Sequence, residues 1–306
     1  MHRSGPPRPA GAGPAAGLRV RRAAGRSFEG SSPTAGDPDL RVYLADMVEP
    51  YGLALREDLL DQAVGHNYGE MAEELLRGAV SEDEPVDLLV LAFAIPDVRP
   101  GRSTALYLSS ICPGEPLALA VSEQGTGAAH SALRIAQAYV ATGDFRRAVV
   151  VIVEQAALHY EPARTLDGSP PLLPSGAAGV VVVCDRADDH DGVTVRQYPR
   201  QTPEGANALV GKEIAALGED RPRTVLILGS GLACVDLFSS GCRQIILANL
   251  GQPFTGQWSE LANGFPAWSA EGALILVADY DKQLCCLSLC TIDTAGSGTS
   301  AAAGPA

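Results

Sequence analysis

The sequence predicts an α/β protein made of two repeated halves, on three observations. Strand-length apolar runs alternate with amphipathic helical patterns along most of the 306 residues. The same order of helix, charged turn and buried strand occurs twice, as YGEMAEELLRGAVSEDEPVDLLVLAFA and as GANALVGKEIAALGEDRPRTVLILGS. The chain is also 46% hydrophobic and 19% charged, enough apolar material for a large core.

Met1 to Gly36 is rich in Gly, Pro and Ala and holds six arginines against Glu29 alone, so residues 1–36 read as a disordered basic tail. A first half is expected over 37–190. In it, Glu70–Val80 is amphipathic, with Met71, Leu75 and Leu76 on one face. The acidic SEDEP breaks that helix, and VDLLVLAFAIPD follows as a strand buried on both faces. A helix over 127–142 ends at Thr142-Gly143-Asp144, and RRAVVVIVE and AAGVVVVCD are further buried strands. The second half, 191–292, repeats the scheme and adds the strands CRQIILANL, GALILVADY and QLCCLSLC. Residues 293–306 read as a second disordered tail.

Composition excludes several function classes. The net charge is −13, which opposes nucleic-acid binding. No apolar run approaches the ~20 residues of a membrane span, and the N-terminus lacks an apolar signal core, so a cytoplasmic location is expected. The cysteines Cys112, Cys184, Cys234, Cys242, Cys285, Cys286 and Cys290 form no CxxC pair and no zinc spacing. They read as reduced, mostly buried thiols, and no metal or cofactor is expected.

The segment from Val86 to Glu154 carries a family resemblance. Asp87, Pro96 and Asp97 fit a strand entering a T-x-P-D loop, Tyr139 to Gly143 fit the end of a long buried helix, and Glu154 closes the next strand. With PSGAAGVVVV at 174–183, this resembles the thiolase superfamily, most closely the ketoacyl-ACP synthase III branch. The resemblance covers residues 39–290 and is weak after 200. It implies a thiolase-like fold, two duplicated α/β halves in layered αβαβα order.

In active members of that family a cysteine caps the buried helix, where the helix dipole favours a thiolate and backbone N–H groups bind an oxyanion. Here the stretch reads SEQGTG. Different registers put Gln124, Gly125 or Thr126 in the nucleophile's place, and none is a cysteine. The family also needs a His–Asn or His–His pair from the second half, yet His2, His66, His130, His159 and His190 all lie at or before residue 190. LILGSGLACVD resembles the first histidine segment with Leu228 in the histidine's place. NLGQPFTGQWSELA resembles the second, with Gln257 there or a lost motif around Asn249–Gly251.

Other constellations read as structural. Ser230 lies in LGSGL, which lacks the G-x-S-x-G spacing of a nucleophile elbow. Cys112 falls in a loop before the nucleophile turn, and Cys285-Cys286 fall in an apparent strand with side chains on opposite faces. His130 lies one turn into the buried helix, and QGTG is a weak phosphate cradle. Glu123 and Gln124 are expected to be buried in the turn, where a carboxylate must be paired or protonated.

The joint loss of Cys, His and Asn leads to three expectations. The first is a degenerate ketosynthase-like subunit, similar to a chain-length factor, that pairs with a catalytic ketosynthase as a heterodimer or heterotetramer and shapes its acyl pocket in polyketide, fatty-acyl or related specialised-metabolite biosynthesis. The second is an acyltransferase, decarboxylase or amide- or ester-forming enzyme on carrier-protein thioesters, using Glu123, Gln124, Thr126, Ser230 or Gln257. The third is a scaffold that binds an acyl chain or an acyl carrier protein, and a homodimer is the alternative to heteromeric assembly.

Overall fold

Valine, isoleucine and leucine concentrate in short runs, and β-branched side chains suit pleated surfaces buried on both faces. The computed structural model describes residues 16–162, 171–187, 192–217, 223–232 and 244–295. In the first half the elements are β1 (Gly17–Phe28), α1 (Pro38–Val48), α2 (Glu57–Asp61), α3 (Tyr68–Ala79), β2 (Leu88–Ala92), α4 (Thr104–Ile111), β3 (Leu117–Val121), α5 (Ala128–Thr142), β4 (Arg147–Glu154) and β5 (Ala177–Ala187). The second half contributes β6 (Val193–Tyr198), α6 (Pro203–Ala216), β7 (Thr224–Leu228), β8 (Gln244–Leu247), α7 (Gly256–Ala270), β9 (Leu274–Asp281) and β10 (Cys286–Asp293).

The duplication extends to topology. One sheet has the order β1-β5-β4-β2-β3 and the other β6-β10-β9-β7-β8, the same order advanced by five strands. The two parallel pairings of each sheet correspond: β2 is parallel to β3 and β4, as β7 is to β8 and β9. The outer pairs β4–β5–β1 and β9–β10–β6 are antiparallel.

Helices α5 and α7 lie between the sheets. Their Ala132, Leu133, Trp258 and Leu261 share one core cluster with Val150 of β4 and Ile275 of β9. Helix α3 covers the outer face of the first sheet through Met71, Leu75 and Leu76, and α6 covers the second through Ala206, Val210 and Ile214. This is the αβαβα layering the resemblance implied. Local chemistry agrees with it. Asn67 and Glu70 form a reciprocal capping box at the start of α3, and Thr202 caps α6 ahead of Pro203.

The expectation of a disordered tail over 1–36 fails for the described part of that segment. Strand β1 pairs antiparallel with β5 from Gly17↔Ala187 to Phe28↔Ala177. Leu18 and Val20 point into the core, while Arg21 and Arg22 meet Glu84, Arg21 also meets Asp185, and Arg26 meets Glu74. Only Leu18 and Val20 are buried in a strand otherwise made of small and charged residues, so its composition looks like low complexity. Residues 1–15 and 296–306 lie outside the described residues, as do Cys234 and Cys242. A second correction concerns Cys285, which sits exposed in the β9–β10 turn at φ 50°, so only Cys286 belongs to the strand.

Candidate functional site

The turn that joins β3 to α5 is the site the sequence singled out. Its residues leave the sheet at Val121, pass through Glu123 at φ 58°, and enter a short 3-10 turn, Gly125–Gly127, that runs into α5. Glu123 and Gln124 are exposed, which corrects the expectation that both are buried. β3 is the last strand of its sheet, so the first residues of the turn emerge at a free edge. Burial begins at Thr126, which is 4% exposed.

A helix N-terminus presents unpaired N–H groups and the positive end of the dipole, and so attracts an anion. Here the anion is intramolecular. The Thr126 N–H donates to Asp281 Oδ2 at 2.9 Å, and Asp281 Oδ1 accepts from the Gln283 and Leu284 N–H groups at 2.9 and 2.8 Å. Asp281 ends β9, so a carboxylate of the second half fills the helix terminus of the first. It also fills the space of a side chain at Gly125, one of the three positions in the nucleophile's place, since a Cβ built there would stand 1.9 Å from Asp281 Oδ2. Gly125 itself has φ 50°, a conformation glycine tolerates.

Two residues earlier on the same strand face, Asp279 is fully buried. Desolvation pushes its carboxyl up to about 6, while the nearby Thr126 hydroxyl favours the charged form. The Gly231 N–H donates to Asp279 Oδ1 at 3.1 Å, whereas Oδ2 has no hydrogen-bond partner. The backbone of β7's end is pressed against this carboxyl, for a Cβ on Gly229 would meet Asp279 Cγ at 2.3 Å. Leu228 points the other way, into the outer cluster with α6. Ser230 lies in the short turn that follows and is only partly buried.

Gln257 occupies the first turn of α7, fully buried, with neither amide atom hydrogen-bonded. Its neighbour Trp258 meets His130 of α5 edge-on, with ring centroids 5.0 Å apart. Burial holds the His130 imidazole down at about 4, which leaves it neutral at physiological pH. Asn249 is exposed and caps its own loop by accepting from the Gly251 N–H at 2.9 Å, so it is not part of this seam. Cys112 is buried behind α4, and desolvation pushes its thiol up to about 11, which keeps it un-ionised.

A second buried acid completes the arrangement. Glu154 ends β4, accepts from the Phe254 N–H at 3.0 Å and from the Thr255 hydroxyl just ahead of α7, and is pushed up to about 7 by burial. Sequence reading marked Glu154 only as the end of a strand and missed Asp279 and Asp281. The signal was present in LILVADYD, where two acids at i and i+2 share one face of an otherwise apolar strand. Among the described residues no group of three or more metal-ligating side chains converges, and no helix is long and apolar enough to cross a membrane. A cavity of about 550 Å³ lies between α1 and the loop at Arg99–Arg102, lined by none of the residues above.

No known protein-family model matches the sequence, and no curated protein sequence matches it. Solved structures do match the fold. AbyA1, a tetronic acid condensing enzyme, superposes with a TM-score of 0.59 at 18% identity, over 90% of this chain and 99% of that one. Xanthomonas campestris OleA with bound lauric acid and lauroyl-CoA gives 0.58 at 14% identity, over 90% and 99%. The cerulenin-bound form of OleA gives 0.57 at 16% identity, over 90% and 98%. The fold of this chain is thiolase-like, with near-complete coverage of its structural neighbours.

Proposed function

We propose that this chain is a thiolase-fold, ketosynthase-like subunit that carries out no condensation itself and pairs with a catalytic ketosynthase, whose acyl pocket it helps to shape. One observation carries the reading. The Asp281 carboxyl occupies both the Thr126 N–H, a candidate oxyanion donor ahead of α5, and the space of a side chain on Gly125. An oxyanion hole needs donors free to meet developing negative charge. Here the Asp281 carboxyl already accepts from the Thr126 N–H. The absence of a cysteine in any register and the inert, neutral His130 point the same way. A net charge of −13 disfavours docking of an acidic acyl carrier protein on this chain, which supports giving that role to the partner.

The test is acylation by an acyl thioester, read by intact-protein mass. The wild-type chain alone is expected to take no acyl group and to release no thiol or CO2 from acyl and malonyl thioesters. Gly125→Cys alone is expected to stay unacylated, because its side chain collides with Asp281. Gly125→Cys combined with Asp281→Gly is expected to gain an acyl adduct. Turnover by the wild-type chain in the absence of any second ketosynthase overturns the reading.

A second reading has one observation in its favour, the Thr126 hydroxyl beside the buried Asp279 carboxyl. A hydroxyl next to a carboxylate base is a nucleophile pair without cysteine. If the wild-type chain does acylate, loss of the adduct in Thr126→Ala, and slower acylation in Asp279→Asn, select this acyltransferase reading.

A further inference from the structure

The cavity of about 550 Å³ between α1 and the loop ahead of α4 has the volume of a small-molecule site, and its two sides carry opposite charge. Helix α1 contributes its N-cap Asp37, then Asp39, Leu40 and Tyr43. Spacings of three and four residues put the last three on one side of the helix. The loop contributes Arg99, Gly101 and Arg102. A turn holds the two arginines together, with the Arg102 N–H donating to the Arg99 carbonyl at 3.4 Å. Asp97 anchors the loop by accepting from the Tyr68 N–H and the Thr104 hydroxyl, both at 3.0 Å. The Tyr43 ring lies against the loop backbone, for a Cβ on Gly101 would stand 3.3 Å from Tyr43 Cζ.

The charges that line this space are not spent on one another. Elsewhere on α1 and α2 they are: Arg41 meets Glu57 at 3.0 Å, and Arg56 meets Asp58 at 2.7 Å. In the cavity, Arg99 Nη2 stands 3.8 Å from Asp37 Oδ2, beyond hydrogen-bond length. Arg102 lies over the Tyr107 ring, 3.7 Å from its centroid. Among the described residues no carboxylate meets Arg102 and no cation meets Asp39.

That combination selects a ligand by sign. A simple anion would meet the arginines but also two carboxylates, and a simple amine would meet the reverse. Like charges brought together oppose binding, so both are disfavoured. A molecule that carries both charges satisfies both sides, and Leu40 and the Tyr43 ring give its apolar part a surface. Arginine suits the carboxylate end, which it can grip with two parallel hydrogen bonds. We propose that this cavity binds a small zwitterion, an α-amino acid with an apolar side chain, with its carboxylate on Arg99 and Arg102 and its ammonium on Asp39. Asp37 keeps its place as helix cap, accepting from the Asp39 N–H at 3.0 Å. None of these residues belongs to the turn at α5, so the assignment holds whether or not the chain condenses acyl groups.

Calorimetric titration of the full chain tests this. The probes are L-leucine, L-methionine and L-phenylalanine up to about 10 mM, each beside its N-acetyl form, which lacks the cation, and its primary amide, which lacks the anion. At least one free amino acid is expected to bind, and its two derivatives to bind about tenfold more weakly or worse. Arg102→Gln and Asp39→Asn are each expected to weaken the free amino acid about tenfold, with thermal unfolding unchanged. In Asp39→Asn the preference over the N-acetyl form is expected to fall below about threefold, which a merely structural role for Asp39 would not produce. Absence of binding by all three amino acids overturns the proposal. So does an N-acetyl form that binds the wild-type chain equally well, or inorganic phosphate that binds more tightly than any of them. Binding that survives both substitutions shows that the ligand sits elsewhere.

Discussion

Asp281 and Glu154 each close the terminus of a central helix, and at Glu154 burial ties that closure to pH. Glu154 is fully buried and its carboxyl is raised from the ordinary value to about 7. A raised acid binds its proton more tightly in the folded chain than in the unfolded one. Its contribution to stability is therefore complete below the unfolded value near 4.5 and is lost as pH rises through about 7. Glu154→Gln keeps an acceptor for the Phe254 N–H and cannot ionise. It is expected to unfold at the same temperature as wild type at pH 5 and to be more stable at pH 8, by on the order of 1–3 kcal/mol. Thermal unfolding at the two pH values checks this; equal stability at pH 8 would show that Glu154 ionises at no cost. Why such acids escaped sequence reading is physical. An acid in an apolar strand has meaning only once its partner is known, and Thr126 lies 155 residues from Asp281. The missing cysteine, by contrast, was legible at once, because identity at a local turn needs no partner.

Among the elements, β1 shows how burial and charge decide whether a strand can be read from its sequence. Helix α3 announced itself through spacing and caps, and the Val-rich β4 and β5 through length and β-branching. Strand β1 did not, because only Leu18 and Val20 are buried and the rest of it is small or charged, so no apolar period runs its length. Its loss exposes the whole outer edge of β5, which is buried along most of its length. Removing residues 1–28 is therefore expected to abolish cooperative folding or drive the chain into aggregates, measured by soluble yield and thermal unfolding. A dispensable tail would leave both unchanged.

At the scale of the whole molecule, the repeated order of helix, charged turn and strand was enough to give two sheets and a layered arrangement. It could not give the strand order, because β1 and β5 are separated by more than a hundred residues and pair by long-range contact alone. The two halves also share a single core cluster that contains residues from both sheets and both central helices. Unfolding is expected to be one transition, with calorimetric and van't Hoff enthalpies in agreement. Two separate transitions would mean that the halves are independent domains.

The reciprocal carboxylates carry that dependence further. Each half lends an acid to the other and receives one in return, so neither owns all the parts that hold its central helix. Cut between them, each piece would be left with a bare positive helix end and an acid that has lost its partner in the other half. The fold's ancestry as two like units survives in its outline, yet the molecule can be inherited, expressed or engineered only as a couple.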